Sequence, residues 1–240
     1  MKLTGNADPL KSNRLLGALP AEEFERLRPH LKTVTLEVKY SIYEPGVPIE
    51  YIYFPIDCVT STLATMKDGR MVEVGTIGNE GMDGLPVFLG TKTAPLVSVC
   101  QVPGDAARMT ANALRSEVGP DDRLHHLLHR FTEATLIFSA QSSACNRLHS
   151  VGQRCSRWIL HTQERVGKDE FYLTQEFLSQ MLGVRRASVS EVASTFQGEG
   201  LISYSRGRIR ILDRSGLEAR ACECHAVIKN EFEHLLDYGV

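Results

Sequence analysis

The chain has 240 residues, enough for two domains of ordinary size. It is 42% hydrophobic and 23% charged, with 27 basic and 29 acidic residues, a composition that excludes collagen-like and disordered chains. No stretch approaches the roughly 18 apolar residues of a membrane-spanning helix, and Met1 to Asn13 lack the apolar run of a secretory signal.

In chain order, the first expected element is a short helix opened by Pro20, with Glu22 and Glu23 near its positive end. From Thr33 to about Met109 the pattern becomes short apolar or alternating runs, such as Thr33 to Val38, Tyr51 to Phe54, Thr60 to Met66, Met71 to Val74 and Leu96 to Val99. Glycines fall between them, and Lys67-Asp68-Gly69-Arg70 is a hairpin signal, because Asp-Gly tolerates the positive φ of a tight turn. Many short strands at regular spacing indicate an antiparallel β-roll or barrel.

The texture changes at Pro120-Asp121-Asp122, which reads as a helix start. Leu124, Phe131, Phe138 and Cys145 then recur every seven residues, a seam suited to a partner helix, and they are the expected dimer interface. A second helix is expected from about Gly152 to Val166, ended by Gly167-Lys168-Asp169.

The sharpest pattern runs from Thr174 to Gly200. Thr174 caps a helix that reaches Leu182 and stops at Gly183, where glycine permits a left-handed turn. A second helix, Arg185 to Gln197, follows at once. Leu178, Leu182, Val184, Val189 and Val192 point inward, which is the arrangement of a helix-turn-helix. Its outward face carries Arg185, Arg186, Ser188, Ser190 and Glu191, and its Arg and Ser side chains are types that contact base edges or phosphate. Thr174 and Gln175, at the first helix's N-terminus, are placed to meet a phosphate. Two short strands then flank Arg206-Gly207-Arg208, a wing with a basic tip for the DNA backbone. Charge follows the same division. Residues 151–220 hold 11 basic against 8 acidic residues, a net +3, whereas residues 1–150 are at −2 and the last twenty at −3.

With these residues in view, the sequence resembles the Crp–Fnr family of bacterial transcription regulators over about residues 15–215. The resemblance rests on the runs Leu173 to Val192 and Glu199 to Ile209, and on the glycine-punctuated roll from Tyr43-Glu-Pro-Gly through Ile77-Gly-Asn-Glu-Gly-Met-Asp-Gly. It implies an α+β chain in three parts: an N-terminal antiparallel β-roll (a double-stranded β-helix like the cyclic-nucleotide-binding domain), a long dimerisation helix and a C-terminal winged helix-turn-helix. The expected divisions are 1–119 for the sensor domain, 120–150 for the dimerisation helix, 151–218 for the DNA-binding domain and 219–240 for a helical tail. The expected protein is a cytoplasmic homodimer that binds a palindromic site on double-stranded DNA, is no enzyme and touches no membrane, with RNA polymerase as a further candidate partner. The alternative is a sensor or scaffold whose degenerate DNA-binding domain acts through protein partners.

Two departures from the family pattern bear on control. Members that bind cyclic nucleotide carry an Arg followed by Ser or Thr after the capsule glycines. Here Ala94-Pro95 falls about where that pair would stand, and Lys92 is the sole basic side chain between Gly84 and Ala107. A cyclic phosphate would lack its bidentate partner, so tight cyclic-nucleotide binding is not expected, and the effector stays unassigned. On the reading helix, Arg186 matches the family's Arg-Glu-x-x-x-Arg face, but Ala187 and Glu191 do not, so the family's best-known operator is not expected either.

Other chemistries find little support. None of the eight histidines (30, 125, 126, 129, 149, 161, 225 and 234) lies between Thr33 and Pro120, against a metal enzyme built on the roll. His125, His126 and His129 read as surface or interface residues of the long helix. The six cysteines, at 58, 100, 145, 155, 222 and 224, form neither a dense disulfide framework nor a closely spaced N-terminal iron–sulfur group, and indicate a reducing compartment. Cys222, Cys224 and His225 fall short of a closed metal site, and cysteines two apart on a helix point in different directions, so no metal or cofactor is expected. No strained Gly-x-Ser-x-Gly turn supports serine hydrolase chemistry.

Overall fold

The computed structural model describes residues 8–236. Two small helices, α1 (Arg14–Gly17) and α2 (Ala21–Leu27), precede the roll. Its strands are β1 (Lys32–Leu36), β2 (Ser41–Tyr43), β3 (Tyr51–Pro55), β4 (Val59–Thr65) and β5 (Met71–Ile77). After the short helix α3 (Leu85–Phe88) come β6 (Val97–Val102), β7 (Gly104–Thr110) and α4 (Ala111–Glu117). They form two antiparallel sheets, in the orders β1-β7-β3 and β2-β6-β4-β5. The Asp68-Gly69 turn joins β4 to β5 as its dipeptide foretells, with Gly69 at φ 83°.

The long helix α5 (Arg123–Leu148) starts where Pro120-Asp121-Asp122 places it, but its cap comes from elsewhere in the chain. The Asp122 side chain makes no cap bond within the helix. Instead the buried carboxylate of Glu23, on α2, accepts the backbone N–H groups of Arg123 (3.0 Å) and Leu124 (2.9 Å). An acidic group at those orphan donors satisfies them and complements the helix dipole.

Beyond α5 lie α6 (Val151–Val166), β8 (Glu170–Tyr172), α7 (Gln175–Leu182), α8 (Arg186–Gly198), β9 (Ile202–Ser205), β10 (Arg208–Ile211), α9 (Arg214–Arg220) and α10 (Cys224–His234). A capping box of Ser150 and Gln153 opens α6, and Gly167 at φ 65° closes it. The wing is broader than the two strands expected: β8 pairs with β10 to give a three-stranded sheet ordered β8-β10-β9. Glu170-Phe171-Tyr172 is too short for its alternation to stand out in the sequence. The boundary expected at 218–219 falls inside α9.

Two apolar cores cross the expected divisions. One joins the roll to α5 and to α10, through Leu124, Phe131, Phe138, Ile228 and Phe232. The other joins the C-terminal part to the roll, setting Trp158, Leu182 and Phe196 in one cluster with Val59, Leu63 and Val102. Polar ties reinforce the second junction. Trp158 Nε1 donates to Glu73 Oε1 (3.0 Å), Arg165 pairs with Glu80 in a buried ion pair (2.8 Å), and Lys168 pairs with Asp57 (2.9 Å).

Candidate nucleic-acid interface

Residues 174–211 build one face from local rules. Thr174 Oγ1 accepts the Phe177 N–H (3.1 Å) and caps α7, whose far end stops at Gly183, φ 62°. A side chain at Gly183 would be strained by that backbone angle and would meet Val72 of β5 at 3.3 Å. Arg185 is the extended N-cap residue of α8, so the helix proper starts at Arg186, one residue later than expected. Val189, Ala193 and Phe196 are buried against Leu178 and Leu182 and fix the roll of α8 about its axis.

That register decides which side chains are free. Arg185 and Arg186 are exposed at the head of α8. Ser190 Oγ is spent on the scaffold, donating to Gln175 Oε1 (2.7 Å) and tying α8 to α7. Ser188 is half-buried, and Thr174 Oγ1 is committed to its cap. The positions opposite the buried stripe are Ala187, Glu191 and Ser194, all exposed, and of these only Glu191 is expected on the outward face. Taking the inward stripe from Val189, Ala193 and Phe196, rather than from Val189 and Val192, is the sequence signal that finds the other two.

The wing tip lies beside the start of α7. Arg206 (φ 50°) and Gly207 (φ 74°) are both left-handed, the backbone of a primed hairpin turn. Tyr204 Oη donates to the Leu173 carbonyl (2.8 Å), and Leu173 N–H to the Gly207 carbonyl (2.7 Å), which holds the tip against the start of α7. Arg206 is exposed. Arg208 reaches Glu170 at 3.8 Å on the surface, a contact worth little. Among the described residues Arg185, Arg186 and Arg206 enter no ion pair. The outcome is exposed, uncompensated guanidinium groups at both the reading helix and the wing, a surface suited to a polyanion.

The β4–β5 hairpin flanks this face. Met66, Asp68, Arg70 and Val72 line one side of an open groove of about 1040 Å³ whose other side is Glu176, Gln180, Arg185 and Arg186. The roll therefore sits next to the reading helix without covering it.

The heptad residues of α5 are located differently from expectation. Leu124, Phe131, Phe138 and Cys145 are all buried within the subunit. Phe131 and Phe138 each stack near Phe232 of α10, with ring centroids 6.3 Å apart. The partner helix that the seam calls for is the chain's own C-terminal helix, about 100 residues away. His125 and His129 set their rings edge-on to Phe88 of α3, with their own centroids 4.6 Å apart, and His126 meets the ring of His125.

A β-roll, a long helix and a winged helix-turn-helix in this order are the architecture of a DNA-binding regulator. The comparisons make this specific. The Crp-like helix-turn-helix domain family matches residues 153–220. The chain is 24% identical over 204 residues to the "CRP-like cAMP-activated global transcriptional regulator" of Mycobacterium tuberculosis, covering 81% of this chain and 90% of the relative. Its fold is similar to that of FixK2 from Bradyrhizobium japonicum (TM-score 0.68, 16% identity, 80% of this chain and 98% of that one). It is also similar to that of a putative regulator of the Crp/Fnr family from Eubacterium rectale (TM-score 0.64, 17% identity, 87% and 97%). Residues 153–220 are thus a Crp-like helix-turn-helix domain, and the chain is a DNA-binding transcription regulator similar to those of the Crp–Fnr family. No helix among the described residues is long and apolar enough to cross a membrane.

Proposed function

We propose that the chain works as a homodimer that places two α8 helices in successive major grooves of a palindromic site, about 34 Å apart. In this reading Arg186 contacts a base edge, and Arg185, Arg206 and Arg208 contact backbone, with Thr174 and Gln175 near a phosphate at the start of α7. Glu191, on the outermost line of α8, is placed to accept from a cytosine amino group. The observation that carries the proposal is the set of exposed, unpaired arginines shared by the α8 head and the wing tip. The second copy would dock on the face of α5 left open, where Leu136 is 67% and Leu148 76% exposed, with Ala140 and Ala144 between them.

The roll's control is proposed to be independent of cyclic nucleotide. Ala94 is buried, Pro95 and Lys92 are exposed, and Asp83, buried with Ser98 Oγ donating to it at 2.5 Å, brings an acidic group toward the interior. A cyclic phosphate would meet no guanidinium there.

The test is selection of bound DNA from a random pool, followed by titration of the selected site at two salt concentrations. Tight, sequence-selective binding that weakens with salt is expected. Arg186→Ala should cost about 1–3 kcal/mol on the selected site and relax one base position. Equal weakening on every sequence would make Arg186 a phosphate contact, and indifference to all DNA would overturn the reading.

A further inference from the structure

The end of α5 and the start of α10 meet at the joint between the roll and the DNA-binding part, and four metal-ligating side chains converge there. Cys145 and His149 lie one turn apart at the end of α5, so they share a face. Cys222 and Cys224 come from the loop into α10. Cys222 precedes the helix and Cys224 is its first residue, so the two are not both helical and their sulfurs are free to turn the same way. The sequence reading placed both on a helix, where they would point apart, and gave no sign of Cys145, 77 residues before Cys222, or of His149, 75 before Cys224. His225 goes elsewhere, to Glu164 at 3.2 Å.

We propose that Cys145, His149, Cys222 and Cys224 form a closed tetrahedral site for a single zinc ion. The four candidate ligand atoms lie within 4.8 Å of one another. Cys145 Sγ and Cys222 Sγ are 3.5 Å apart, and Cys224 Sγ and His149 Nδ1 are 3.6 Å apart. Zn–S bonds of about 2.3 Å and Zn–N bonds of about 2.0–2.1 Å give a tetrahedron with edges of about 3.5–3.8 Å, so these ligands need little movement to close on one ion. A cluster with several irons and bridging sulfides needs a wider ring.

The surroundings also fit. His149 Nε2 lies 3.3 Å from Glu223 Oε2, the outer carboxylate that orients a ligating histidine and fixes Nδ1 as the metal-facing nitrogen. Gln141 Nε2 donates to Cys224 Sγ at 3.1 Å, a bond that favours thiolate. Cys145, Cys222 and Cys224 are all buried and make an apolar cluster of their own. Three thiolates on a divalent ion leave one net negative charge. Beside them on α6 are Arg154 and Arg157, both buried and neither paired with a carboxylate among the described residues. Arg154 Nη2 donates to the Leu182 carbonyl, Arg157 Nη1 lies 3.4 Å from Ser142 Oγ, and both Nε atoms lack a partner. Two buried guanidinium groups need an anion, and the metal thiolates supply it. With no ion, burial pushes the Cys145 thiol up to about 12 against the pull of Arg157. A bound ion reverses this by displacing the protons. The second group of potential ligands, His161, Glu164 and His225, is faced by Arg214 and Lys229 on the same carboxylate, which makes it hostile to a cation.

The full chain, purified under reducing conditions without chelator, should contain about one zinc per chain by elemental analysis. Cobalt(II) added to metal-free protein should give thiolate charge-transfer and tetrahedral visible bands that zinc abolishes. Cys222→Ser with Cys224→Ser, and His149→Ala, should lower zinc content at least about tenfold, whereas Cys58→Ser, a buried cysteine outside the site, should leave it unchanged. If the variants do not fold, the cobalt spectrum of the unmutated chain and its competition with a chelator still decide. A reduced chain that takes up neither zinc nor cobalt overturns the proposal. So does an iron–sulfide chromophore, or a Cys145–Cys222 disulfide in protein kept free of oxidant. Metal content is read independently of DNA binding, so failure here leaves the DNA-binding reading standing.

Discussion

Helices α5 and α8 each bury one stripe, yet they do so on different scales. The stripe of α8, with Val189 and Phe196, closes against α6, α7 and the wing, all within about 60 residues of sequence. The stripe of α5 closes against the roll on one side and α10 on the other, bringing Phe131 and Phe138 to Phe232. The faces left open differ accordingly. That of α8 is polar, headed by exposed arginines. That of α5 is apolar in its middle, at Leu136, and at its end, at Leu148. A short helix held by its neighbours can present charge to a ligand. A long helix whose seam is filled from within the subunit leaves its remaining apolar face open to the second copy proposed above.

The largest effect that sharpens this contrast is expected at Phe131. It is 1% exposed and lies where the roll, α5 and α10 meet. Phe131→Ala should destabilise the subunit by about 3–5 kcal/mol, measured by denaturant unfolding of the purified chain. If Phe131 instead lay at a subunit interface, its truncation would lower the apparent mass and leave the stability of the lone subunit nearly unchanged. A loss of stability with the apparent mass unchanged places the residue in the subunit core.

The same contrast explains what was legible in the sequence. The helix-turn-helix and wing were readable because every contact that defines them is local: the Thr174 cap, the Gly183 stop, the buried aliphatics and the Arg206-Gly207 turn fall in one continuous run. The β4–β5 hairpin was readable from Asp68-Gly69 for the same reason. The seven-residue spacing of Leu124, Phe131, Phe138 and Cys145 was also real, but periodicity reports that a stripe is buried and not what buries it. Its partner, α10, lies far along the chain. Glu23 as the cap of α5, and Cys145 and His149 beside Cys222 and Cys224, depend on the same long-range approach and leave no local signal. The bond from Ser190 to Gln175 is hidden for a smaller reason, since a hydroxyl on a helix looks alike whether it meets solvent or another side chain.

A smaller effect is expected at the junction between the roll and α6. Burial beside Trp158 pushes the Glu73 carboxyl up to about 7, although Ser61, Trp158 and nearby Arg165 and Arg157 pull the other way. The folded chain thus holds this proton more tightly than the unfolded chain, whose carboxyl has its ordinary value of 4.5. Stability from this group is fully present below about pH 4.5 and is lost as pH rises through about 7. Glu73→Gln keeps an oxygen acceptor for Trp158 and removes the titration. Thermal unfolding of both proteins from pH 5 to pH 8 should show a decline in the unmutated chain that is shallower in the variant. Parallel curves would mean that Glu73 is ionised throughout.

The smallest change in subunit stability is expected on the open face of α5, and it is the one that tests the second half of the contrast. Leu136 is 67% exposed, so replacing it in a lone subunit alters little packing. Leu136→Asp should stay within about 0.5 kcal/mol of the unmutated chain in monomer stability. In a dimer closed over this face the same substitution buries two carboxylates near the symmetry axis with no basic partner, a cost that association cannot absorb. Sedimentation should therefore show monomers that are still folded, with the roll and winged helix intact. The salt-dependent affinity for a palindromic site should fall to that of a single half-site. A variant that remains dimeric would move the interface off this helix face. A variant that unfolds would show that Leu136 belongs to the subunit core after all, which its exposure argues against.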